Sequence, residues 1–351
     1  MADVYTQLAK HLDSLPAGFP ATESGVEIRI LKKLFTPREA EIAAQLSMMP
    51  QTAEFVAPKV DMEVEELGRV LELMAQKGLI FRHRKKGSVS YMAAQFVVGI
   101  WEYHVNDLDE ELVRYFNEYV PTLMRSAWER TRTKQMRIIP VSEDVQPDVA
   151  VMPFDQAEQI IASQSRIAVA PCICRKERGM LGEACEAPVE TCLIFGGGAD
   201  FYLENGLGRE IDREEALQIV ERGKEAGLVL QPSNAQKPVA MCMCCGCCCQ
   251  ILRNVKRMDR PSQMVHSNFQ AWVDPEVCSG CGACQDLCPM EAIIVQDTAD
   301  IRQDRCIGCG VCVNGCEFGA LHLTPRETVY EPPRNVVQTY MNMARERMSD
   351  A

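Results

Sequence analysis

Two cysteine runs near the C-terminal end constrain this chain more than any other feature. The first is Cys278-x2-Cys281-x2-Cys284-x3-Cys288, followed by Pro289; the second is Cys306-x2-Cys309-x2-Cys312-x3-Cys316. A loop with a cysteine at every third residue curls its sulfurs inward, and its backbone N–H groups can face the same space. Small residues permit that close approach: Gly280, Gly282 and Ala283 in the first run, Gly308, Gly310 and Gly315 in the second. This spacing wraps three thiolates around one 4Fe–4S cube and sends the fourth to the other cube. Zinc modules space their pairs as C-x2–4-C with longer gaps between, so zinc at these eight cysteines is the weaker reading.

On these motifs the segment Trp272–Leu323 resembles a bacterial two-cluster ferredoxin, over about one seventh of the chain. The resemblance implies a ferredoxin-like two-cluster module at 271–326 with crossed ligation. One 4Fe–4S cluster would take Cys278, Cys281, Cys284 and Cys316; the other would take Cys306, Cys309, Cys312 and Cys288. One residue departs from the family pattern: Glu317 follows Cys316, where proline is usual. A carboxylate close to the cluster disfavours the reduced, more negative state and lowers the potential.

At 351 residues, two or three domains are expected. Met1 to Leu15 carries Asp3, Lys10, His11 and Asp13 around no apolar core, so no signal peptide is expected. No apolar run approaches the ~20 residues that span a membrane. With 18 cysteines, these features predict a cytoplasmic, reducing setting and metal-bound thiolates. The formal net charge is −12, and residues 271–326 hold eight acids against three arginines. That balance argues against generic nucleic-acid binding and suits docking onto a basic redox partner.

The fold class expected is α+β multidomain. Residues 1–93 have no cysteine and read as three helices and a basic hairpin: Ile28, Leu31 and Leu34 on the first; Thr36, Pro37 and Glu39 opening the second; Val64, Leu67, Val70, Leu71 and Met74 on the third. The hairpin carries Arg82-His83-Arg84-Lys85-Lys86 and turns at Gly87. This pattern resembles a winged-helix domain. Such a hairpin can contact phosphates. The third helix carries Asp61, Glu63, Glu65, Glu66 and Glu72 on or beside it, however, and acids there would repel DNA. A protein-docking role is the expectation. Residues 94–135 read as a helical connector broken at Pro121, its aromatics forming core.

Residues 136–270 read as a cysteine-rich α/β metal-binding domain. Strands are expected at Arg137–Val141, Val149–Met152, Ile167–Ala170 and Leu228–Leu230, and helices after Asp155 and from Asp212 to Gly227. Ten cysteines fall here, too many for ordinary core. Cys172, Cys174, Cys185 and Cys192 would suffice for one cluster or one zinc. Cys242, Cys244, Cys245, Cys247 and Cys248 offer several further registers, and Cys249 ends the run. Adjacent cysteines point in different directions, so the six from Cys242 to Cys249 cannot all serve one centre. The region resembles the cysteine-rich part of bacterial and archaeal 4Fe–4S ferredoxin-type proteins in which C-x-C-R precedes CC-x-CCC. A third iron–sulfur cluster is the first expectation, with zinc the alternative. Reversible oxidation of vicinal Cys244 and Cys245 is a third option. Gly196-Gly197-Gly198 lacks the spacing of a nucleotide cradle and reads as a loop. The five histidines are scattered and no catalytic set is present. Residues 327–351 read as a tail helix.

The sequence thus predicts an electron-transfer protein working with a redox protein or oxidoreductase complex of an anaerobic redox system; DNA is not the expected partner, no membrane span is expected, and the sequence identifies no small-molecule substrate. Two other classes stay open: a redox-sensing regulator using the winged helix, and an iron–sulfur subunit of an oxidoreductase or activating enzyme.

Overall fold

Residues 3–85, 87–141 and 152–349 are described by a computed structural model of the chain. Lys86 and residues 149–151 of the expected Val149–Met152 strand lie outside them. The chain divides into two compact units: Met1–Thr133 with Asp200–Leu207 and Tyr340–Ala351, and Lys134–Ala199 with Gly208–Thr339.

The first unit opens with helices α1 (Val4–Ser14), α2 (Val26–Leu34), α3 (Pro37–Ala43), α4 (Ala53–Val60) and α5 (Val64–Gln76). The expected capping box starts α3: the Glu39 N–H donates to Thr36 Oγ1 at 3.3 Å, and the Thr36 N–H donates to Glu39 Oε2 at 2.8 Å. Helix α5 buries Leu67, Leu71 and Met74, the stripe its periodicity requires. An antiparallel hairpin follows, β1 (Phe81–Lys85) and β2 (Ser88–Met92). Then come the short α6 (Trp101–Tyr103) and α7 (Glu110–Leu123).

Pro121 does not break α7, and α4, which the sequence reading missed, contains Pro58. Each proline withholds one N–H from the ladder, and its helix nevertheless runs on past it. The aromatics of this region form core. Trp101 stacks on Phe116 with ring centroids 3.6 Å apart, and Phe19 packs on Phe96 and Tyr119.

In the second unit α8 (Ala157–Ala162), β3 (Ile167–Pro171), α9 (Ile173–Met180) and β4 (Glu190–Phe195) are followed by α10 (Gly197–Glu204), whose residues from Asp200 count with the first unit. Next are β5 (Arg209–Ile211), α11 (Arg213–Glu225), β6 (Val229–Pro232), β7 (Ala240–Cys244) and α12 (Gln250–Lys256). The strands form one antiparallel sheet in the order β5-β3-β4-β7-β6.

Three expectations change here. Arg137–Val141 makes only one isolated bridge, Ile139 to Leu230, with a second just before it from Met136 to Ser233. Asp155 does not cap α8. It is buried in an ion pair with Arg137 at 2.6 Å, which a charge can accept only with its partner beside it. Gly197 and Gly198 begin a helix, and the turn into it is made at Gly196 with φ +55°.

The chain continues through β8 (Phe269–Val273), α13 (Ala283–Leu287), β9 (Ile293–Val295), β10 (Ala299–Ile301), α14 (Val311–Asn314), β11 (Leu321–Pro325) and the tail helix α15 (Val336–Ser349). Strand β8 pairs with β11 and β9 with β10, both antiparallel. Among the described residues no helix is long and apolar enough to cross a membrane.

Candidate metal centres

The two C-terminal cysteine runs fold around two hollows. One is lined by Cys278, Cys281, Cys284 and Cys316; the other by Cys288, Cys306, Cys309 and Cys312. The last cysteine of each run therefore lies with the first three of the other. Four thiols in each lining, set among apolar side chains such as Leu321 in one and Ile293 in the other, fit two groups of one kind.

Backbone geometry explains the arrangement. The first three cysteines of each run end on a short helix, α13 or α14, entered through a glycine at positive φ, Gly282 or Gly310. The glycine after each first cysteine has no room for a side chain. A Cβ on Gly308 would stand 1.9 Å from the Phe269 carbonyl oxygen, and one on Gly280 would stand 2.5 Å from that of Asp297. Both also have positive φ, +67°.

Four alanine N–H groups donate to cysteine sulfur in a repeating pattern. Ala292 donates to Cys288 at 3.2 Å and Ala320 to Cys316 at 3.4 Å, each four residues on. Ala299 donates to Cys278 and Ala271 to Cys306, both at 3.4 Å. Such bonds stabilise thiolate charge and raise the potential of an attached cluster. The spacing did not reveal these donors, because two of them come from neighbouring strands. Burial pushes the Cys284, Cys288, Cys309 and Cys312 thiols up, so metal must displace their protons. The two linings differ in exposure: Cys306, Cys309 and Cys312 are buried, whereas Cys281 is exposed.

The middle cysteines are partitioned otherwise than expected. Cys185, on the loop between α9 and β4, joins Cys245, Cys247 and Cys248 on the turn between β7 and α12. All four sulfurs lie within 4.8 Å of one another. Cys185 and Cys245 are 3.8 Å apart, Cys247 and Cys248 3.7 Å. Four sulfurs around one tetrahedral ion at about 2.3 Å stand roughly 3.8 Å apart, so the set fits a single ion. Burial opposes ionisation of Cys185. The Ala187 N–H and the three facing thiols outweigh it and bring this thiol down to about 7.

Cys172, Cys174 and Cys192 do not join Cys185. They gather with Cys242, Cys244 and Cys249 at one end of the sheet, where Cys192 faces Cys242 across β4 and β7. The run from Cys242 to Cys249 thus divides three and three. Strand alternation puts Cys242 and Cys244 on one face, and the turn carries the next thiols away. The two cysteine-rich regions touch at Gly246, where a Cβ would stand 3.0 Å from Pro289, the residue after Cys288.

In the first unit the basic hairpin is paired. Arg82, with 2% of its side chain exposed, bridges Glu72 at 2.7 Å and Glu204 at 2.6 Å. Arg84 bridges the same two acids at 2.7 and 3.1 Å.

Residues 270–317 match the family described as a 4Fe-4S dicluster domain. No curated protein and no solved structure matches the chain. The family match and the cysteine clusters point to iron–sulfur electron transfer.

Proposed function

We propose that this chain relays single electrons between redox proteins through two 4Fe–4S clusters in a cytoplasmic, reducing setting. The observation that carries the reading is the pair of hollows, each lined by four cysteines in crossed order. Clusters held there supply one-electron storage at each site. The chain's own contribution is to fix the thiolates, donate N–H groups to sulfur, and bury one site more than the other. Cys281, exposed on the first site, is the natural point of exchange with a partner, and the acidic surface of 271–326 suits a basic one.

The additional centre at Cys185, Cys245, Cys247 and Cys248 is best read as a mononuclear zinc, because its sulfurs are spaced for one ion. The first unit, read as a winged helix, serves protein docking. This is supported by the engagement of Arg82 and Arg84 with Glu72 and Glu204, which leaves their charge compensated rather than offered to phosphate.

The test is anaerobic purification followed by iron, sulfide and zinc analysis and EPR of the reduced protein. At least about eight irons are expected, with two interacting cluster signals. About four irons, or none, would sink the two-cluster reading. Selection of a random DNA library at physiological salt should enrich no motif. One motif lost on Arg84→Ala would make the chain a regulator instead.

A further inference from the structure

Six cysteines remain outside the sites assigned above. Cys172 precedes α9 and Cys174 lies in its first turn; Cys192 is on β4, Cys242 and Cys244 are on β7, and Cys249 precedes α12. The topology brings them to one place. Cys174 lies against Cys172 and Cys249, Cys242 lies against Cys192 and Cys244, and Cys244 against Cys249 closes the two groups into one.

Their spacing differs from that of the four-thiol set. Among the described residues no three of the six have sulfurs all within 4.8 Å of one another, as the four-thiol set does. One tetrahedral ion would need four sulfurs roughly 3.8 Å apart, so it cannot reach four of these. A group containing several metal atoms can, because each thiolate then binds a different atom. The eight C-terminal cysteines, which also contain no such tight group, follow the same rule. The set has no carboxylate or imidazole, and an all-thiolate environment selects soft or thiophilic centres.

Arg175 is the second, independent observation. It is 4% exposed and stands between the two sets, its charged neighbours being Cys172 and Cys244 of this set and Cys245 and Cys185 of the four-thiol set. Its Nη1 donates to Thr191 Oγ1 at 2.5 Å and its Nη2 to the Met243 carbonyl at 3.0 Å. Its Nε is buried without a hydrogen-bond acceptor. A buried guanidinium with an orphan N–H beside thiols calls for anionic sulfur. Further donors serve the same thiols: the Arg175 N–H to Cys172, the Ile251 and Leu252 N–H groups to Cys249, and Gln231 Nε2 to Cys249 at 3.7 Å.

We propose that Cys172, Cys174, Cys192, Cys242, Cys244 and Cys249 hold a polynuclear iron–sulfur cluster of their own, separate from the four-thiol site. Arg175 offsets its negative charge. The iron totals of its test rest on the two clusters proposed for the C-terminal hollows, and iron and sulfide lost from the first variant alone separate this site from them.

The experiment compares the full-length chain, purified anaerobically, with two double variants: Cys174→Ser with Cys249→Ser, and Cys245→Ser with Cys247→Ser. Iron, acid-labile sulfide and zinc are counted in each, and folding is followed by circular dichroism. The wild type is expected to hold roughly twelve irons, the first variant about two thirds of that with zinc retained. The second variant should keep all the iron. Zinc lost from the first variant, or iron and sulfide unchanged in it, overturns the proposal. Should the first variant fail to fold, the second decides: iron staying above about eight supports the site, and iron at eight overturns it. Six thiols of the wild type found as three disulfides by mass would overturn it too.

Discussion

The C-terminal module and the middle turn are both built from closely spaced cysteines, yet they arrange sulfur in opposite ways. In the module, glycines at positive φ hold each loop open, and eight thiols stand around two hollows. In the turn from Cys245 to Cys248, three thiols close onto Cys185 within 4.8 Å. Cysteine density therefore does not determine the kind of centre. What differs between the two regions is whether the backbone between the cysteines holds sulfurs apart or lets them meet.

The sharpest way to break this comparison is to remove the opening device. Gly308→Ala would drive a Cβ against the Phe269 carbonyl at a position of positive φ. We expect a loss of roughly 3 kcal/mol or more and of the metal at the second hollow. Thermal unfolding and iron analysis measure both, and wild-type values for each would show that the glycine does not hold the loop. Next in size are the crossed cysteines. Cys288→Ala should remove the EPR signal of the buried site and Cys316→Ala that of the exposed one, each with about half of the module's iron. Damage confined to the mutated run's own first three cysteines would overturn the crossing.

On the other side of the comparison, Cys247→Ser should release about one zinc per chain and leave iron and sulfide unchanged. Loss of about four irons instead would mean that the turn closes around a cluster. The smallest effect is expected at Gly246→Ala, where Pro289 stands 3.0 Å from the new Cβ and must give by a few tenths of an ångström. A cost of about 1–2 kcal/mol in chemical denaturation is expected, with both metal contents kept. No cost at all would mean that the two regions are not packed together there.

Much of the module was legible because its chemistry is written in local spacing. The glycines of each run and the helical stripe of α5 follow from residues within one run or one helix, whereas the crossed order was implied by the resemblance of the double motif. The partition of the middle cysteines was not legible. It depends on the pairing of β4 with β7 and on where β7 ends, both long-range facts. Cys185 looked like a partner of Cys172, Cys174 and Cys192 because it lies near them in sequence, but α9 and its following loop carry it to the turn after β7. Cys249, which the sequence reading does not name among the ligands, lies against Cys174, 75 positions before it in the chain. The basic hairpin was read from its charge, and its acidic partner Glu204 could not be anticipated, being 120 residues from Arg84. Asp155 failed as a cap for the same kind of reason: Arg137 claims it.

The unequal exposure of the two C-terminal hollows has a consequence for how such a molecule ages. Oxidants and chelators meet Cys281 at the surface, whereas Cys306, Cys309 and Cys312 are shielded. Brief exposure to air would strip the outer site first and leave a half-loaded chain whose inner site is intact. Repair could then begin from a folded remnant, because Cys288, still held at the inner site, would keep the first run tied beside the place where the lost metal had been.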